Sequence, residues 1–196
     1  MSQSPSPTPS PTLNISVAGP SDRPVLEQLW TMFRHDMSAY SGALPDSRGR
    51  FRQERLDSAL TDPAWEAYLL HVGDGPVGFV IVRGLDQPER VINSLFLVHG
   101  ARTAGHGRTA VRTITHRHPG RWAVAFQDAN TAAAHFWPSV AADADPQWTA
   151  EHTDVVGRLD LPADSWIRFR VADNGATTAA GSGEPHVRTG SEDIPQ

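Results

Sequence analysis

Cysteine is absent from all 196 residues, and with it go disulfides, thiolate metal sites and a cysteine nucleophile. Long apolar runs are missing too, since none approaches the roughly 20 residues a membrane-spanning helix needs. The opening MSQSPSPTPSPT has neither the charged nor the apolar region of a secretory signal. A basic excess is also lacking: 17 Lys plus Arg against 22 Asp plus Glu leaves a formal charge of −5, the wrong balance for gripping a nucleic-acid backbone. These absences point to a cytoplasmic protein with neither nucleic acid nor membrane as partner. A small anionic ligand stays open, because it needs only a local positive end.

What is present fits one globular unit, with 39% hydrophobic and 20% charged residues. Residues 1–12 alternate Ser, Thr and Pro and offer nothing apolar to bury, so they are expected to be a disordered tail, as is the stretch from 173 to 196. The folded part is expected at 13–172. Within it NISVAG reads as a short strand. Pro20, Ser21 and Asp22 then precede Val25, Leu26, Leu29 and Phe33, whose spacing forms one apolar helical face. A weaker helix is expected at about Arg50–Leu60. AYLLHV and PVGFVIVRG, separated by GDG, read as an antiparallel hairpin. VINSLFLV (91–98) is a further strand, followed by a helix at about His106–Thr115, the strand RWAVAF, a helix opening at Asn130, and a last strand SWIRFRV. This order, β-α-α-β-β-β-α-β-α-β, predicts a mixed sheet with helices packed on it.

The stretch ARTAGHGRTA (101–110) joins a strand to a helix. Amides from Thr103 to Arg108 would open that helix unsatisfied, and glycines at 105 and 107 would let an anion approach bare backbone. Gly-x-Gly alone is weak, since it recurs at 73–75 and 181–183. The same letters satisfy G-x-G-x-x-A, with Asp128 after the next strand as a ribose partner, which makes an NAD(P)-binding oxidoreductase a rival. That rival has two misfits: Gly105 lies well beyond the end of its strand, and the motif is not in the first β-α-β unit.

Two elements together resemble the GNAT acyltransferase superfamily. Arg102, Gly105 and Gly107 match its cofactor loop, [QR]-x-x-G-x-[GA]. NTAAAHFW, with Asn130, Ala133, Phe136 and Trp137, is similar to its N-x-x-A-x-x-[LF]-[YW] element, one helix and one strand later. RHDMSAYSG, around 35–42, is similar to the first helix and following loop of a bacterial subgroup. The resemblance implies an α/β (α+β) fold, with a mixed, mainly antiparallel sheet whose strands 4 and 5 splay apart and are flanked by helices. It implies acetyl-CoA, or another acyl-CoA or phosphopantetheine thioester, as donor and a small amine as acceptor. An acyl carrier protein is the alternative source of the donor, and a homodimer is compatible with the chain.

By the same resemblance, main-chain groups of Phe96, Leu97 and Val98 would pair with the pantetheine arm. Thr103, Ala104, Gly105, His106, Gly107 and Arg108, with Arg102, would hold the diphosphate. Asn130 would hydrogen-bond the arm, and Phe136 and Trp137 would cover it; their plain alternative is the buried face of a helix. An amide near Leu97 would face the oxyanion, while His35, Asp36, Ser38 and Tyr40 would line the acceptor pocket, Asp36 holding the ammonium and Tyr40 donating a proton. Ending a helix is the plain alternative for Asp36 and Tyr40. A glutamate at 107 is expected to repel the diphosphate. The chain departs from the family pattern at Trp137, where many relatives carry a proton-donating tyrosine, and at Ser94, near which they carry an acid. An indole cannot supply a proton this way. A non-catalytic acyl-CoA-binding module therefore stands as a second reading. HRHP (116–119) lacks the carboxylate or thiolates of a zinc site and is expected to cap a helix end.

Overall fold

The computed structural model describes residues 12–154 and 163–173. The two stretches expected to be disordered tails lie outside the described residues, except for residues 12 and 173. Seven strands form one sheet: β1 (Leu13–Ala18), β2 (Trp65–Val72), β3 (Gly75–Arg83), β4 (Glu89–Leu97), β5 (Gly120–Phe126), β6 (Thr149–Thr153) and β7 (Asp164–Val171), in the spatial order β1-β2-β3-β4-β5-β7-β6. Every neighbouring pair is antiparallel except β4 with β5. That lone parallel pair lacks the successive β-α-β units that the dinucleotide fold requires. The helices are α1 (Arg23–Ser41), α2 (Glu54–Thr61), α3 (His106–Arg117) and α4 (Thr131–Ala144). None is long and apolar enough to cross a membrane among the described residues.

The expected elements are found within a few residues of their predicted limits. Two differ in substance. The β6 strand was not anticipated, since TAEHT has five exposed residues and no apolar alternation to announce it; pairing with β7 makes it a strand. And α4 runs on through Pro138 to Ala144, although proline removes one helical hydrogen bond.

Alternation along the strands sends side chains into two cores, one on each face. On one face, α3 and α4 cover Tyr68, Val80, Val82, Ile92, Trp122, Val124 and Ile167. On the other, α1 and α2 cover Ala67, Leu69, Phe79, Ile81 and Phe96. Four rings tie α1 to this second face: Trp30, Phe33, Phe79 and Phe96, with neighbouring centroids 5.3–6.1 Å apart. Each such pair contributes about 0.5–1.5 kcal/mol beyond its burial, enough to fix α1 against the upper half of β4.

Candidate active site

The β4 strand is paired on both sides only in its lower half. Its contact with β5 ends at Ile92 opposite Val124, while its pairing with β3 continues to Leu97 opposite Gly78. At that level the β3–β4 register steps from Val82–Ile92 to Ile81–Ser94, leaving Asn93 as an extra residue. Such a bulge bends its strand, so the bulge and the parting of β4 from β5 coincide.

Above the bulge, one edge of β4 is free. The Val98 amide donates to the Val77 carbonyl at 2.8 Å, and the Val98 carbonyl accepts from Ala101. The Phe96 carbonyl lies against Gly78 on β3. Alternation therefore turns the amides and carbonyls of Leu95 and Leu97 toward the opening. This corrects one expectation: the Phe96 carbonyl faces β3, and the main chain of Val98 is engaged by β3 and by the following turn, so Leu97, with Leu95, carries that edge.

The loop after β4 makes a short 3-10 turn at His99–Ala101 and reaches α3 through Thr103 and Gly105, both in the left-handed region at φ 72° and 78°. A side chain at Gly105 would meet nothing within 4 Å. Among the described residues, no acceptor is found for the amides of Thr103 through Arg108. Six donors and the positive end of α3 are thus unsatisfied at a surface loop, an arrangement suited to a diphosphate. Gly107 points elsewhere. A Cβ there would touch the Phe136 ring at 3.4 Å and Leu97 Cδ1 at 3.6 Å, so a glutamate at 107 would be driven into the packing beside β4 before it met any phosphate.

No family model matches the chain, and no curated protein matches it in sequence. Solved structures do match. An acetyltransferase of Thermus thermophilus aligns with a TM-score of 0.60 over 82% of this chain and 97% of its own, at 20% identity. The ribosomal-protein-S18-alanine N-acetyltransferase of Escherichia coli gives 0.58 over 86% and 99%, at 11% identity. A GNAT family acetyltransferase from Elizabethkingia anophelis, with acetyl-CoA bound, gives 0.56 over 81% and 98%, also at 11% identity. The fold is that of the GNAT acetyltransferases.

In this GNAT fold, the motif residues lie around one opening, but several side chains point away from it. Arg102 turns back: its Nε donates to the Leu97 carbonyl at 2.8 Å, its Nη2 to Asp36 Oδ2 at 2.5 Å, and its guanidinium lies 5.8 Å from the centre of the Phe96 ring. His99 stands 3.8 Å from the same Asp36 oxygen. The residue expected at the diphosphate and the one expected at the acceptor ammonium are therefore bonded to each other, and Arg102 occupies one of the edge carbonyls. Arg108 likewise bonds Ser139 Oγ at 2.9 Å and pairs with Asp143, both on α4, leaving its amide at the loop.

Asn130 is the N-cap of α4. Its Oδ1 accepts from the Ala133 amide at 3.1 Å, and its Nδ2 lies 4.0 Å from Met37 Sδ on α1. Phe136 packs edge-on against Trp137 and closes over Leu97 and Gly107. The Trp137 indole is buried in the core below α4, which is its plain alternative from the sequence. On α1, Tyr40 is 41% exposed and has no hydrogen-bond partner among the described residues. The His35 side chain is exposed as well, and the Ser38 hydroxyl bonds the His35 carbonyl.

Two polar triangles were missed from the sequence, because each draws its members from separate elements. At the end of β5, the Ser165 hydroxyl donates to Asp128. His152 Nε2 is 3.0 Å from that hydroxyl and 3.1 Å from the other Asp128 oxygen. The Ser165 hydroxyl first, and His152 second, hold the Asp128 carboxyl below the usual range. Both His152 contacts use the same ring nitrogen while Ser165 bonds Asp128 directly, so the set is a closed cluster and not a nucleophile relay. At the opposite end of the sheet, the Tyr68 hydroxyl donates to Glu66 and lies 3.0 Å from His118 Nε2. Burial first, then Glu66, pushes the Tyr68 phenol up. His118 is thus engaged with a phenol and a carboxylate, and among the described residues no metal-binding group forms.

Proposed function

We propose that the chain is an N-acyltransferase that moves an acyl group, acetyl by default, from acetyl-CoA or a related pantetheine thioester to a small amine by direct attack. The observation that carries this reading is the parting of β4 from β5 beside a glycine-opened helix start whose six amides are free. The amides of Thr103, Ala104, Gly105, His106, Gly107 and Arg108 would hold the diphosphate, while the free edge at Leu95 and Leu97 would pair with the extended amide arm as an added strand does. Asn130 and Phe136 would flank the arm, with Trp137 supporting Phe136 from the core. Arg102 would join them by exchanging Asp36 for phosphate.

The amine nitrogen attacks the thioester carbonyl, the Leu97 amide stabilises the oxyanion, the C–S bond breaks, and the nitrogen's proton is lost as the thiolate gains one. An amide already aimed at the developing charge costs no reorganisation during reaction. A thiol with a pKa of about 8.5 leaves tolerably without an acid, so Trp137 in place of tyrosine does not forbid the step. His35, Asp36 and Tyr40, along the end of α1, would serve the acceptor and its protons. The buried Trp137 and the Asp36–Arg102 pair favour one second reading, an acyl-CoA-binding module without turnover.

The test is Gly105→Asp. Aspartate tolerates the left-handed conformation better than most residues, and its Cβ has room, so the fold is expected to survive. The carboxylate would face the diphosphate and weaken CoA binding by about tenfold or more, roughly 1.4 kcal/mol, in titration calorimetry. CoA, and not NAD, is expected to raise the wild-type melting temperature. Thiol release from acetyl-CoA across an amine panel separates the enzyme from the module, and parallel release from an acyl-phosphopantetheine reports on a carrier-bound donor. Equal CoA affinity in wild type and variant would remove this loop from the site.

A further inference from the structure

On the α1 and α2 side of the sheet, those helices lie over β2 and β3. Ala123 and Ala125 of β5 and Trp166 of β7 turn to this same side, opposite the Trp122, Val124 and Ile167 that face α3 and α4. Near this stretch of sheet, the Trp30 indole N–H donates to the Arg52 carbonyl at 2.9 Å and so joins α1, with Arg34, to the start of α2, with Arg52 and Arg55; Arg83 stands at the end of β3, opposite Val91. The Arg55 charge interacts with those of Arg34, Arg83 and Arg52, and with the carboxylate of Asp164 at the start of β7; the Arg34 charge interacts with that of Arg52 and with the carboxylate of Glu54.

The cluster is short of anions. Arg52 is paired with Glu54 at 2.9 Å, whereas Arg34, Arg55 and Arg83 have no ion pair or hydrogen bond among the described residues. The Arg34 Nε is buried without a partner. The Arg55 side chain is exposed, yet desolvation first, then Arg34 and Arg83, disfavour its charge. An arginine cannot escape by losing its proton, so such a group is relieved by an anion that offers two oxygens to its planar fork. In a chain with net charge −5, this crowding of cations is local and specific.

Its position relates it to the opening. Phe33, next to Arg34, packs at 6.1 Å on Phe96 in the free half of β4. Asp36, two residues further on, holds Arg102. Across the gap, Asp164 adjoins Ser165, which pairs with Phe126 at the end of β5. Arg34 and Arg55 thus lie on the α1 and α2 side, the face away from α3 from which an acceptor would enter, while Arg83 stands lower, level with the paired half of β4.

We propose that the acceptor is an anionic amine, one whose carboxylate or phosphate docks between Arg34 and Arg55 while its amino group is presented to the free edge of β4. This rests on the acyltransfer reading for the reaction, though not for the binding. Polyamines and other polycations would be repelled, and the neutral amines would lack an anchor.

The test uses the full chain with CoA and four probes: O-phosphoethanolamine and aspartate against ethanolamine and putrescine. Calorimetry is expected to show the two anionic amines binding, with the stronger of them identifying phosphate or carboxylate as the partner. Arg34→Gln with Arg55→Gln is expected to lose about tenfold or more in that affinity, and added salt is expected to weaken wild type more than the double variant. Thiol release from acetyl-CoA should follow the same order. Should the double variant fail to fold, the ranking of the four probes on wild type still decides. Binding or turnover of ethanolamine or putrescine equal to that of the anionic pair, affinity untouched by the substitutions, or no anionic probe bound would overturn the subsite. Anionic probes held at the arginines, with no thiol release for any amine and no binding of CoA, would sink the acyltransfer reading and leave the subsite standing.

Discussion

The two walls of the opening are built from different materials. The β4 wall is main chain: an edge of amides and carbonyls above a bulge, pressed on β3 through Gly78 and continued by a loop whose donors all come from the backbone. The β5 wall presents side chains, the Asp128–His152–Ser165 cluster, with His152 and Asp128 66% and 62% exposed. Under the proposed function, the backbone wall would recognise what every donor of one class shares, an amide arm and a diphosphate. A side-chain wall can be changed residue by residue at little cost to the fold, which under the proposed function would suit the part of the opening that varies with the acceptor.

Substitutions can break the first wall far more readily than the second. The largest effect is expected at Gly78, where any Cβ would overlap the Phe96 carbonyl oxygen and press on the Leu97 Cα at 3.1 Å. That clash is with backbone, and rotamers cannot relieve it. Gly78→Ala should cost about 3 kcal/mol or more and separate the upper half of β4 from β3. Denaturant unfolding measures it, and a loss under about 1 kcal/mol would mean that β3 and β4 are not in this register.

A smaller effect, of opposite sign, is expected in the loop. Thr103 is a β-branched residue held at φ 72°, a conformation that costs of order 1–3 kcal/mol without glycine. Its neighbour Gly105 shows that glycine is available to such turns, yet the strained position carries threonine. Thr103→Gly is expected to stabilise the folded chain by about 1 kcal/mol, part of the relieved strain being offset by the greater freedom of glycine when unfolded. If the strain serves to aim the amides, CoA affinity should fall in the same variant. Greater stability with unchanged affinity would separate strain from recognition.

The division between walls also explains what could be read from the sequence. Backbone sites need glycine at fixed places, so Gly105 and Gly107 marked the loop, and apolar alternation marked six of the seven strands. Direction was not readable. Whether Arg102 reaches outward to phosphate or back to Asp36 and the Leu97 carbonyl depends on α1, sixty-six residues away in the chain, which the packing of Trp30 and Phe33 on Phe79 and Phe96 brings there. Gly107 was assigned to phosphate from its spacing, yet in a helix its side faces Phe136. The arginine cluster and both polar triangles collect residues whose separations follow no motif, and β6 borrows its conformation from β7.

The smallest expected effect lies in the β5 wall, and pH reveals it. Ser165 and His152 hold the folded-state pKa of Asp128 below its unfolded value. A depressed carboxyl contributes stability that is present above the unfolded value, about 4, and is lost as pH falls through the folded one. Because this carboxylate is exposed and screened by solvent, the contribution is modest. Asp128→Asn should lower the melting temperature slightly at neutral pH, and the difference from wild type should close as pH drops below about 4. Full-chain thermal scans along that series, repeated with His152→Ala, distinguish the bonds: the serine bond acts first, so removing the imidazole should leave most of the pH dependence in place. A gap between wild type and Asp128→Asn that stays constant down to the acid limit would mean that packing, and not the ionised carboxylate, holds the β5 wall together.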